Sequence, residues 1–148
     1  DGIANTTWPA RMQHLSSGPI LNILGKDWDV WLDGGHNAAC GAAIADMLKD
    51  WDGKPLHIIF GMLNTKAAGD FLAPIAPYIK SAISVAIPGE QNSLSAEEAR
   101  QFAVDQNIDC TAEDSIKAAV HSISSNPPAR LLICGSLYLA GIILSQNT

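Results

Sequence analysis

From about Leu15 onward the chain alternates short β-rich runs with stretches of helical periodicity. Such alternation builds βαβ units, so it restricts the fold to an α/β domain around a largely parallel sheet. The run Leu131-Leu132-Ile133-Cys134 has no polar member, as expected of a central strand covered on both faces. Helices are marked by their starts and apolar faces. Asn37 is a good N-cap before Ile44, Met47, Leu48 and Trp51, which recur at i, i+3, i+4 and i+7 and predict one buried face. Ser95-Ala96-Glu97-Glu98 reads as a capping box opening a helix to about Gln106. Ile116, Ala119, Val120 and Ile123 repeat the helical spacing until Asn126-Pro127-Pro128 ends it, and Ser136 to Leu144 reads as a buried final helix. A short helix is expected around Asp70 to Ile79, limited by Pro74 and Pro77. The remaining strands are Leu56 to Phe60, Ala82 to Ile87 and Ile108 to Thr111, with Ile20 to Leu24 and Val30 to Leu32 as a hairpin or adjacent pair around Gly25-Lys26-Asp27. The expected architecture is a Rossmann-like three-layer α/β domain with a mostly parallel sheet of roughly six strands.

Residues 1 to 14 are polar, contain Pro9 and lack periodicity, so they read as the end of an interdomain linker, and 15 to 148 as the domain. The opening on Asp1, without Met, reads as a fragment boundary. Nine basic against fifteen acidic residues give a net charge of -6 with no Lys/Arg run, the wrong field for nucleic acid. An anionic ligand must therefore be held by a few specific donors. Cys40, Cys110 and Cys134 are odd in number and far apart, with no CxxC pair and no zinc-finger spacing, so neither a disulfide framework nor a structural metal is expected and a reducing cytoplasm fits. The longest apolar stretch, Leu131 to Leu144, is too short to span a membrane.

In open α/β sheets ligands bind beyond the carboxyl ends of strands, which puts the loops Asp33 to Asn37, Gly61 to Lys66 and Gly135 to Ser136 on the functional edge. No GxGxxG follows a strand, no GxxxxGK[ST] exists and Ser136 is not within GxSxG. These absences argue against an autonomous dinucleotide site, a phosphate-loop ATPase and a serine hydrolase. Four strings then stand in order along the chain: Trp8-Pro9-Ala10-Arg11, Leu32-Asp33-Gly34-Gly35-His36-Asn37, Gly61-Met62-Leu63 with Lys66, and Ile133-Cys134-Gly135-Ser136-Leu137. Together they resemble the carboxyl-terminal domain of the folylpolyglutamate synthase/dihydrofolate synthase family, within the Mur ligase superfamily.

The resemblance implies an ATP-dependent ligase that adds L-glutamate to folates through an acyl phosphate, with Mg2+ and the phosphate loop supplied by the polypeptide's own amino-terminal domain. The isolated domain is expected to be inactive and the enzyme a monomer. By similarity, Arg11 reaches the ATP phosphates with a guanidinium that binds two oxygens at once. Asp33 accepts hydrogen bonds from the ribose hydroxyls, and it also suits a turn shaped through its own backbone. His36 positions the glutamate or the nucleotide, while Asn37 caps its helix first. Lys66 and Ser136 hold the carboxylates of the glutamate, Lys66 as a point charge and Ser136 from a helix start. His14, His57 and His121 have no sequence partners that suggest metal or catalysis. A muramyl-peptide ligase domain and a non-catalytic Rossmann-like binding module are the alternatives.

Overall fold

The computed structural model describes residues 12–51, 53–63 and 68–146. Six strands form one sheet in the order β1-β2-β6-β3-β4-β5: Gln13–Leu15, Asp29–Leu32, Arg130–Cys134, Leu56–Phe60, Ser81–Ser84 and Cys110–Ala112 from one edge to the other. β1 runs antiparallel to β2, and every other pairing is parallel. The α/β expectation, with its mostly parallel six-stranded sheet, is met. Among the described residues six α-helices cover it, α1 Pro19–Leu24, α2 Ala38–Leu48, α3 Ala68–Ile75, α4 Ala96–Asp105, α5 Ile116–Ile123 and α6 Leu137–Gln146, with a 3-10 turn at Ala76–Tyr78 after α3.

The two faces of the sheet bury separate clusters, because alternate residues of a strand point to opposite sides. Leu131, Ile133 and Ile59 join α1, α5 and α6 on one face. Leu132, Cys134, Ile58 and Phe60 join α2, α3 and α4 on the other. β6 is thus apolar on both sides, which accounts for its unbroken apolar run. The capping box closes as expected, with Glu98 N–H donating to Ser95 Oγ at 3.0 Å and Ser95 N–H to Glu98 Oε1 at 2.8 Å.

Several local expectations are corrected. Ile20 to Leu24 is a helix and not a strand; Pro19 supplies a helix-ready first residue and Gly25, with φ near 98°, ends it. The strand expected over Ala82 to Ile87 is Ser81–Ser84, and that over Ile108 to Thr111 is Cys110–Ala112. Met47 is 40% exposed on the rim of α2 instead of facing inward. The final helix buries only one side, and Leu137 and Tyr138 in its first turn stay 48% and 57% exposed. Gln13 and His14, in the stretch that the sequence reads as linker, pair with β2 in the sheet.

The amino-terminal ends of the parallel strands carry a structural cluster. Arg130 Nε donates to Asp29 Oδ2 at 2.8 Å with its guanidinium 4.5 Å over the Trp51 ring, and His14 Nε2 lies 2.9 Å from Asp29 Oδ1. Nearby on β3, buried His57 has Nδ1 2.6 Å from the Ser81 hydroxyl. Burial, then the charge of Lys80, holds its imidazole below the usual histidine pKa. The unfolded chain therefore takes up that proton first, and the contribution is full above about pH 6.5 and lost as pH falls towards the lowered folded value. Urea midpoints measured at about pH 7.5 and 5.5 are expected to fall, and to fall less in His57→Asn; an equal fall in the variant contradicts this assignment.

Candidate functional site

β6 lies between β2 and β3, so the loops that follow these three strands meet at the carboxyl edge of the sheet. The approach is close enough to require glycine. Gly135 has φ near 109°, and a Cβ there would sit 2.6 Å from the carbonyl oxygen of Gly61. A Cβ on Gly34 would collide with the Leu137 side chain. Asp33 N–H continues the sheet by donating to Ile133 O at 2.9 Å, and Gly61 N–H reaches Cys134 O at 3.3 Å. The three loops form one surface.

A cavity of about 120 Å3 opens there, lined by His36, Met62, Leu63, Gly135, Ser136, Leu137 and Tyr138. Its walls are mostly side-chain carbon, and among the described residues no lysine or arginine lines it. Arg11 and Lys66, the two cations the sequence assigns to this edge, lie outside the described residues.

Asp33 is 3% exposed. Its Oδ1 accepts from Gly35 N–H at 2.6 Å and its Oδ2 from Met12 N–H at 3.0 Å. Each carboxylate oxygen thus accepts a backbone amide of this edge. His36 is exposed with Nδ1 3.4 Å from the Gly34 carbonyl oxygen, which leaves its ring able to meet a ligand in the cavity. Asn37 caps α2 through Cys40 N–H at 2.9 Å. Ser136 is buried, and its Oγ accepts from Tyr138 N–H at 3.0 Å and Leu139 N–H at 3.4 Å, so it caps α6 while keeping a hydroxyl proton to donate. Asp33, His36 and Ser136 are thus gathered at one edge. His57 lies at the amino-terminal end of β3, and the His14 side chain points to that end by reaching Asp29.

The sequence did not mark Met12, Leu137, Tyr138 or Cys134 as parts of this edge. Each directly follows or belongs to one of the four strings, which was the available signal. Cys134 is fully buried beside Asp33; burial, then that carboxylate, pushes its thiol well up, so it stays protonated and unreactive. Among the described residues no group of three His, Cys, Asp or Glu is placed to hold a metal, and no helix is long and apolar enough to cross a membrane.

No family model matches the chain. It is 24% identical over 142 residues to the folylpolyglutamate synthase of Lacticaseibacillus casei, an alignment covering 96% of this chain and 30% of that protein. The chain therefore spans about a third of that relative's length. Among solved structures, Mycobacterium tuberculosis folylpolyglutamate synthase complexed with ADP superposes with a TM-score of 0.77 at 21% identity, over 97% of this chain and 33% of that one. E. coli FolC in complex with DHPP and ADP gives 0.76 at 20% identity, over 97% and 32%. In sequence and in fold, the chain is similar over nearly its whole length to the carboxyl-terminal domain of folylpolyglutamate synthases.

Proposed function

We propose that this chain is the nucleotide-closing, glutamate-side domain of an ATP-dependent ligase that adds L-glutamate to folates, alone or together with dihydrofolate synthase activity. The observation that carries the reading is the match along 142 residues to a folylpolyglutamate synthase. The gathering of the Asp33, Gly61 and Gly135 loops around one cavity supports it.

In the reaction, a folate carboxylate oxygen attacks the γ-phosphorus of ATP and ADP leaves. The glutamate amine then attacks the acyl carbon, phosphate departs and an amide remains. Both steps build negative charge on transferring oxygens, and fixed cations and dipoles lower that cost. Arg11 supplies a two-pronged donor to the phosphates. Asp33, which holds the Met12 and Gly35 amides at this edge, accepts from the ribose hydroxyls. His36, Lys66 and the Ser136 hydroxyl orient the glutamate. Residues of the amino-terminal part would hold Mg2+, which when bound would supply positive charge against the phosphates. The domain acts as a lid that excludes water, within a cytoplasmic monomer, and without that part it does not turn over.

Glutamate incorporation by the complete polypeptide, with reduced folate, dihydropteroate and a muramyl-linked nucleotide as acceptors, tests the assignment. Incorporation into a folate-type acceptor and none into the muramyl acceptor is expected. Incorporation into the muramyl acceptor alone overturns the folate reading.

A further inference from the structure

We infer that Ser93 is a positioning residue: it pins the loop that follows β4, and through that loop it fixes the Met62–Leu63 wall of the carboxyl-edge cavity. Its consequence for amino-acid selection rests on the ligase reading above. The chain after β4 crosses the carboxyl end of the sheet, with Val85 and Ile87 buried in the cluster on one face and Leu94 in the cluster on the other. Two turns carry it across. Pro88 and Gly89, the latter with φ near 74°, suit the central positions of a type II turn closed by Glu90 N–H on Ile87 O at 3.2 Å. Ser93 N–H closes the next turn on Glu90 O at 3.2 Å. The chain thus returns to where the loop began, and Ser93 Oγ accepts from Ile87 N–H at 2.8 Å while donating to Leu94 O at 2.7 Å.

The pinned loop holds the cavity wall by main-chain bonds. Ser93 forms an antiparallel bridge with Leu63, and Leu94 N–H donates to Met62 O at 2.9 Å. Met62 and Leu63 line the cavity together with His36 and Ser136. The start of the loop also presses on this strand end, since a Cβ on Gly61 would stand 2.9 Å from Val85 O. The wall therefore leans on a loop whose closure depends on one hydroxyl. Without that hydroxyl the amide of Ile87, a residue 2% exposed, loses its acceptor, and an unmet buried donor favours opening of the loop. Ser93 is not among the residues lining the cavity, so it acts through Leu63 and Met62 and not by touching a ligand there. A site of fixed width rejects a substrate that is one methylene too long by about 10- to 200-fold, and a wall that yields gives that discrimination up.

The test uses the complete polypeptide and two amino acids, L-glutamate and L-2-aminoadipate, its homologue longer by one methylene. In Ser93→Ala, amide hydrogen exchange at Ile87 and Leu94 is expected to speed up about 10-fold while β3 amides stay protected. The preference in kcat/KM for glutamate over 2-aminoadipate is expected to fall about 10-fold in the same variant, through KM more than through kcat. Ser93→Thr keeps the hydroxyl at a bridge position that suits a β-branched residue, and it is expected to restore both readouts. Gly89→Ala reaches the same loop by another route. Its Cβ would meet nothing within 4 Å, so only the positive φ is strained, and the preference is expected to fall there too. Unchanged exchange at Ile87 in Ser93→Ala, no rescue by Ser93→Thr, or wild-type preference in both Ser93→Ala and Gly89→Ala overturns the proposal. If Ser93→Ala loses β3 protection, Gly89→Ala and Ser93→Thr decide. A wild type that ligates neither amino acid to any acceptor rejects the ligase reading and the selectivity with it, and the exchange comparison still decides the pin.

Discussion

Replacing Gly135 with alanine is expected to destabilise the chain by about 3 kcal/mol, the sum of left-handed backbone strain and overpacking. The new Cβ would stand 2.6 Å from a backbone oxygen of Gly61, whose own N–H is tied to Cys134 O, and such a backbone yields less than a side-chain tip. Relief must come from parting β6 and β3 at their carboxyl ends, where the cavity lies. Gly141 is the control. It is exposed within α6, and a Cβ there would meet nothing within 4 Å, so alanine is expected to stabilise by about 0.5–1 kcal/mol through helix propensity. Urea unfolding of both variants reads the contrast; equal midpoints for the two contradict the close approach of the loops.

Phe71→Ala is expected to cost about 3–5 kcal/mol, the range for emptying a buried phenylalanine site. The ring is fully buried in the cluster between the sheet and the helices α2 to α4, and the backbone around it is already pressed against Gly41 of α2. Helices this close cannot move together to refill the space, which places the cost at the upper end of the range. Thermal unfolding checks it. A loss below about 1.5 kcal/mol contradicts rigid packing at this contact.

Much of the fold was legible because local signals agreed with the tertiary outcome. The Ser95 and Glu98 box, the Asn37 cap and the unbroken apolar run of β6 each reported a local chemistry that the folded chain keeps. The misreading of Ile20 to Leu24 has a physical cause: a short apolar run lacks the length to separate the two periodicities, and Pro19 was the signal that favoured a helix. Met47 shows the limit of periodicity, since the apolar stripe of α2 is wider than the surface available to cover it. At the site, the sequence located the three loops because strand ends define the edge. It did not reveal Asp33 gripping Met12, a contact across 21 residues that no local pattern encodes.

In the proposed folate-glutamate ligase, this chain completes the site and its Arg11 acts at the ATP phosphates. Glutamate-dependent ADP release by the complete polypeptide with a reduced folate, compared between wild type and Arg11→Ala, tests it most directly. The account predicts release by the wild type and a loss of about 100- to 1,000-fold in the variant, the range for removing one preorganised charge donor. Undiminished release by Arg11→Ala, or none from a folded wild type that binds ATP, would contradict it.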